Sequence, residues 1–302
     1  MSVEVALPGL GARARGDRLQ GLGFLTITAV CWGLNWPVVK ILLQQLPPFS
    51  MRLGCSIVGV TFAFALAAAR GERLGVPRGQ WRSLIIAALL NFGAFSILST
   101  LALVLLRASE AVIITYTMPI WSALVAWPML GERPTVKRLA ALALGLAGVA
   151  LIVGADSASA SWTKLPGVLC GFGAAWVFAL GTLFSKRHPL AMPPVAGVAW
   201  QVLVGALPVC VLAWFETPNW GGVTLLGWSA ASYIAIVPMT VAYLAWFRAL
   251  KLLPAAIAST GVLLSPITGV IASALMLGEP LGARQLAALA MTLTGVVLAA
   301  RT

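Results

Sequence analysis

One stretch of this chain occurs twice. Residues 108–153 align without a gap to residues 255–300 at a fixed offset of 147, and 17 of the 46 positions are identical. The shared residues include Pro119-Ile120 and Pro266-Ile267, Met129 to Glu132 and Met276 to Glu279, and Leu-Ala-Ala-Leu-Ala at 139–143 and 286–290. Alanine and leucine are common here and match cheaply. Proline, glycine and glutamate held in register do not. A duplicated segment confines the fold to architectures with two like halves. Such halves can run in the same direction or in opposite ones, and the surrounding sequence decides which.

The chain is 60% hydrophobic and 9% charged, with a mean hydropathy of +0.98. Soluble domains are about a quarter charged, so this composition belongs to a membrane protein. The apolar runs are about 20 residues long, enough for a helix to cross a bilayer, and they lack the ~10-residue alternation of barrel strands. Ten spans are expected, near 21–42, 49–69, 83–105, 109–129, 137–154, 165–185, 193–214, 223–246, 254–277 and 283–300. Breakers separate them, among them Pro47-Pro48, Arg70-Gly71, Gly131 to Pro134, His188-Pro189, Pro254 and Gly278 to Pro280. Residues 1–20 read as a polar tail rather than a cleavable leader.

Lysine and arginine set the direction of the spans. With the N-terminus in the cytoplasm, 15 of the 20 basic residues fall on the inner side, and Lys40, Arg107, Lys164 and Arg284 on the outer. Arg52 lies inside the second span. Both termini are therefore expected inside. The net charge of +12 becomes a rim facing anionic lipid, not a nucleic-acid groove. Five spans separate the two copies, and five is odd, so the copies are inverted. Gly23, Leu25 and Trp32 also align with Gly167, Leu169 and Trp176 at an offset of 144. The expected fold is an all-α polytopic membrane protein of ten transmembrane helices in a 5+5 inverted repeat. It divides into a tail at 1–20, repeats at 21–154 and 165–302, and an outer linker at 155–164. Repeats of this kind hold a substrate near the bilayer midplane and alternate its access by rocking.

Particular residues carry a family likeness. Trp32-Gly33-Leu34-Asn35-Trp36-Pro37-Val38-Val39-Lys40 opens the first span. Two helices end in Leu-Gly-Glu, each with a proline twelve residues before its glycine, and Ala245 to Leu250 precedes Pro254-Ala255. Over nearly all of the chain after residue 20 this resembles the EamA branch of the drug/metabolite transporter superfamily. Within that branch it looks most like the YddG aromatic amino acid exporters of bacterial inner membranes. The resemblance implies a ten-helix basket whose cavity is lined mainly by spans 1, 3, 4, 6, 8 and 9.

No aspartate or glutamate falls in the middle of a span, nor does a cluster of basic residues. Intramembrane charges mark ion-coupled or anion sites, so a largely uncharged cavity for a neutral or zwitterionic solute is expected. Substrate-binding candidates are Trp32, Asn35, Ser96, Ser99, Tyr116, Trp176, Tyr243, Ser259 and Ser265. The polar candidates also read as helix–helix packing and the tryptophans as lipid-facing packing. Pro119 and Pro266 break helical hydrogen bonds at equivalent depths and read as paired gates or as tolerated prolines. Glu132 and Glu279 read as caps of the helices that follow them. Lys40 and Arg52 are expected to snorkel. Cys31, Cys55, Cys170 and Cys210 lack metal-ligand spacing, and His188 sits in a basic loop, so no metal, cofactor or enzymatic chemistry is expected. The expected function is export of aromatic or other neutral amino acids from a bacterial inner membrane. The alternative is an exporter of other small metabolites or drugs, with or without proton coupling.

Overall fold

The computed structural model describes residues 8–130, 135–153, 158–253, 257 and 261–300. These residues are almost entirely helical, as an apolar chain must be where lipid offers the backbone no partners. The elements are α1 (Pro8–Leu43), α2 (Pro48–Ala69), α3 (Trp81–Ala88), α4 (Phe95–Leu105), α5 (Ala108–Thr115), α6 (Met118–Leu130) and α7 (Val136–Val153). The second half holds α8 (Ala158–Arg187), α9 (Pro194–Ala213), α10 (Leu225–Ile236), α11 (Ala242–Leu252), α12 (Leu264–Leu277) and α13 (Ala283–Ala300). Among the described residues six stretches are long and apolar enough to cross a membrane: Gly16–Leu43, Pro48–Ala69, Trp81–Leu105, Ala108–Ala126, Trp162–Arg187 and Pro194–Ala213. Shorter apolar helices cover Leu139–Leu151, Leu225–Ile236, Leu264–Leu277 and Ala283–Leu298. Helix α1 already begins at Pro8, inside what the polar sequence suggested was a tail. Large apolar side chains such as Ile57, Val58, Leu207, Val211 and Leu275 lie on the outside of the bundle, where lipid rather than water would cover them.

The repeat recurs in the packing. Helices α7 and α13 cross on glycines. A Cβ on Gly148 would stand 2.9 Å from the Ala288 carbonyl oxygen, and one on Gly295 2.8 Å from that of Ala141. Adding 147 to 148 and to 141 gives 295 and 288, so this is one contact made twice about a pseudo-two-fold axis. Small residues let the backbones approach so closely.

The first helices of the halves obey a slightly different register. Gly21 packs on Leu252 and Leu253, and Gly167 packs on Leu105 and Leu106 in the same way. Leu25 lies against Gly261, and Ile114 against Gly171. Both pairs require an offset of 146 between α1 and α8. Pro47 and Pro193, also 146 apart, precede α2 and α9 with near-identical backbone angles (φ −57°, ψ 145° and 146°). The 144 offset suggested by Gly23 and Gly167 is therefore wrong. Trp32 corresponds to Phe178, and Trp176 to Val30, so the two tryptophans are not symmetry mates.

Carboxylates tie the equivalent helices α2 and α9 together in antiparallel. Glu216, after α9, accepts hydrogen bonds from the Phe49 and Ser50 amides at the start of α2 (3.1 and 2.6 Å). Glu72, after α2, accepts one from the Ala196 amide at the start of α9 (2.9 Å). The end of each of these equivalent helices thus meets the beginning of the other. Glu279, just past α12, likewise accepts from the Ala108 and Ser109 amides at the start of α5 (2.6 and 2.9 Å), and from the Ser109 hydroxyl. It caps a helix of the other half, not the helix that follows it. Glu132 lies outside the described residues.

Candidate functional site

Interruptions in four apolar helical stretches sit at positions related by the repeat. Between α3 and α4 the chain makes a π-helical stretch at Leu89–Ala94, and between α10 and α11 another at Val237–Val241. Pro238 explains the second, because it lacks an amide hydrogen and a widened turn accommodates its ring. The Pro238 carbonyl accepts a hydrogen bond from Trp32 Nε1 at 3.2 Å. No proline explains the first. Its Asn91, which the repeat maps onto Pro238, donates from Nδ2 to Ser185 Oγ (3.0 Å), Gln201 Oε1 (3.4 Å) and the Gly181 carbonyl (3.5 Å). This polar junction of three helices escaped the sequence reading, although Asn91 stands 147 residues before Pro238.

The fourth and ninth stretches are broken outright. Helix α5 ends at Thr115, Tyr116 and Thr117 form a turn, and α6 begins one residue before Pro119. In the equivalent place Val262 and Leu263 turn before α12. The hydrogen bonds there tighten to three-residue spans, Thr117 N to Ile114 O (3.2 Å) and Ser265 N to Val262 O (2.9 Å). Pro119 and Pro266 thus follow breaks one turn upstream of themselves. Pro37, by contrast, leaves α1 continuous.

The structure brings together some expected site residues and separates others. The Trp32 ring meets Tyr243 edge-on at 5.5 Å and Trp246 at 6.0 Å. Tyr116 packs on Trp36 with ring centres 6.2 Å apart and faces Ser265 across the breaks. Ser96 and Ser99 are buried on one face of α4, with Ser99 Oγ bonded to the Ser96 carbonyl. The repeat places Ser96 and Ser99 at the positions of Tyr243 and Trp246, so one half supplies hydroxyls where the other supplies aromatic rings. Trp176 is 43% exposed and belongs to a separate cluster with Trp121 (5.7 Å), which also meets Phe172 (5.8 Å). Asn35 stands apart. Gly33 faces Ser265 and Thr268 of α12, and at about 100° per residue Asn35 lies about 160° around α1 from it. Ser259 lies outside the described residues.

Several polar atoms remain buried without a hydrogen-bond partner: Asn35 Oδ1, Ser96 Oγ, Thr115 Oγ1, Ser265 Oγ and Thr292 Oγ1. Three of these residues are expected site residues. Such atoms destabilise a fold and call for an explanation. The charged groups are occupied elsewhere. Lys40 does not snorkel; its ammonium caps the end of α4 through the Leu103 and Leu106 carbonyls, the latter at 2.9 Å. Arg52 Nε donates to Thr100 Oγ1 at 2.6 Å. Glu110 is buried and paired with Lys164 at 2.7 Å. Trp200 bonds the Leu74 carbonyl beside Trp81 at the end of the bundle. Among the described residues no His, Cys, Asp or Glu cluster could hold a metal ion.

Comparison with known proteins fits this geometry. The EamA-like transporter family model matches twice, at residues 19–154 and 165–301. An uncharacterized transporter of Bacillus subtilis is 27% identical over 279 residues, covering 91% of this chain and 89% of its own. A probable amino-acid metabolite efflux pump of Escherichia coli is 26% identical, with 90% and 92% covered. A probable terminal-alkyne amino-acid exporter of Streptantibioticus cattleyicolor is 26% identical, with 91% of each chain covered. One crystal structure superimposes with a TM-score of 0.62 at 20% identity over 95% of this chain and 96% of the other, a likeness of fold.

Proposed function

The chain belongs to the EamA-like transporter family, whose members are transporters rather than enzymes, and we propose that it exports aromatic or other neutral amino acids across a bacterial inner membrane. On this reading ten helices cross the membrane with both termini in the cytoplasm. The single observation that carries it is the set of matched interruptions. Four stretches bend or break at equivalent positions of two antiparallel halves, and the side chains gathered there are aromatic, hydroxyl or amide. Discontinuous helices at a repeat interface are where secondary transporters hold substrate and hinge. An uncharged site suits a zwitterion, whose own charges cancel. Trp32, Tyr116, Tyr243, Ser96, Ser99 and Ser265 are its substrate-facing residues, with the breaks before Pro119 and Pro266 as paired hinges. The relatives named for amino-acid efflux and export support the substrate class.

The alternative of a proton-coupled drug or metabolite exporter calls for an unpaired carboxylate inside the membrane. Glu72, Glu110, Glu216 and Glu279 are instead bonded to backbone amides, and Glu110 also to Lys164. Purified protein in liposomes is expected to move labelled phenylalanine, tryptophan or a smaller neutral amino acid down its gradient without an imposed pH difference. Absence of movement for all twenty amino acids rejects the substrate class. Movement only under a proton gradient rejects the uncoupled mechanism.

A further inference from the structure

We propose that the place where the breaks of the fourth and ninth stretches meet is a carboxylate subsite, in which Ser265 Oγ and the Tyr116 hydroxyl hold one small carboxylate at the start of α12. This deepens the amino acid reading and rests on it for the remainder of the substrate. The 14-residue helix α12 begins at the break, with Ser265 in its first turn, where the helix dipole favours negative charge. Pro266 removes one amide donor there, which leaves more of the recognition to hydroxyls. Ser265 is fully buried, and no hydrogen bond of ordinary geometry reaches its Oγ. The Tyr116 hydroxyl faces it from the opposing break. Ser265 Oγ, buried without a hydrogen bond of ordinary geometry, and the Tyr116 hydroxyl close to it can both donate to a third atom beside them.

The repeat supplies an internal control. It maps Tyr116 onto Leu263 and Ser265 onto Met118, so the twin of this meeting is built from apolar side chains. The packing of two broken helices therefore does not require hydroxyls. Their presence on one side only gives the centre a polar end for the carboxylate, while Trp36, packed on Tyr116, supplies apolar surface beside it.

Thermal unfolding of the full-length protein in detergent, with L-phenylalanine, 3-phenylpropionate or 2-phenylethylamine, tests this. Both carboxylates are expected to stabilise the wild type and the amine is not. Ser265→Ala should weaken both carboxylates on the order of tenfold, the value of one hydrogen bond to a charged group, while the unliganded melting temperature stays equal or rises. Ser265→Thr should restore binding, and Tyr116→Phe should weaken it while leaving the fold intact. A helix-packing role gives the opposite pattern: Ser265→Ala lowers the unliganded melting temperature and leaves ligand responses unchanged. That result overturns the proposal, as does an amine that stabilises as well as the carboxylates, or no response to any of the three. If Ser265→Ala yields no folded protein, Tyr116→Phe decides by the same criterion. Ser265-dependent binding without transport in liposomes leaves the subsite standing and sinks amino acid export. Transport of phenylalanine with KM untouched by Ser265→Thr, Ser265→Ala and Tyr116→Phe does the reverse.

Discussion

Glu279 is the side chain whose removal tests the antiparallel arrangement most directly. Its two carboxylate oxygens accept the Ala108 and Ser109 amides at the start of α5, while Glu110 accepts the Arg107 amide at 3.0 Å. A helix start leaves four amides without partners, so Glu279 supplies two of the three bonds seen there. Each such cap is worth about 1 kcal/mol, and charge-assisted bonds run higher. Glu279 is only partly buried, so water replaces some of the loss. Glu279→Ala should then cost about 2–3 kcal/mol, and Glu279→Gln about half that, because the neutral amide offers one acceptor oxygen. For a 302-residue chain, at about 2.1 cal/mol/K of unfolding entropy per residue, that lowers the melting temperature by roughly 3–5 °C for Ala and about 2 °C for Gln. Tryptophan fluorescence during heating of the detergent-purified variants reads both shifts. If the two variants melt together, the effect is charge at a dipole and not bonding. If both melt within about 1 °C of the wild type, a shift too small for even one lost cap, Glu279 does not hold α5 and the junction has been misread.

Other outcomes follow from named contacts. Gly148→Val and Gly295→Val should destabilise by similar amounts, about 1–3 kcal/mol or more, because each drives a side chain into a carbonyl of the same twofold contact; a large difference in their melting temperatures contradicts the shared geometry. Gly33→Ala places a Cβ 2.6 Å from the Ser265 carbonyl oxygen and should reduce amino acid binding along with stability, measured by ligand-induced thermal shift. Asn91→Ala should cost only about 0.6 kcal/mol, the typical value of an interhelical hydrogen bond in a membrane; a loss above about 2 kcal/mol in thermal melts, beyond the largest such bond, means the junction with Ser185 and Gln201 is more than glue.

Much of the architecture was legible because lipid simplifies the code. Helix-sized apolar runs, breakers such as Pro47-Pro48, and the 147-residue offset give the order of helices and the doubling without any knowledge of contacts. The inversion came from counting basic residues, and Glu72, Glu216 and Glu279 agree with it by touching the opposite ends of helices in the other half. What stayed hidden depends on side chains meeting over long separations. Glu279 finds its partners about 170 residues away, so local reasoning assigned it to the next helix. The π-helical turn at Asn91 carries no proline to announce it. The symmetry of Trp32 and Trp176 rested on three matches at one offset, whereas Pro47 and Pro193 would have set the register correctly. Of the candidate site, the pairing of Tyr116 with Ser265 was beyond sequence, because the two residues are not equivalent in the repeat and meet only across its axis.

Leu25 against Gly261 and Ile114 against Gly171 are the same junction built twice, yet the parts are not shared out evenly. Both protruding side chains belong to the first half, and both glycine recesses to the second. A pair of first halves would set leucine against isoleucine, and a pair of second halves would leave two gaps. The ancestor of such a duplicated chain could have worked as two copies of itself. These halves have since become lock and key, so that, made as separate polypeptides, each would choose the other over its own kind.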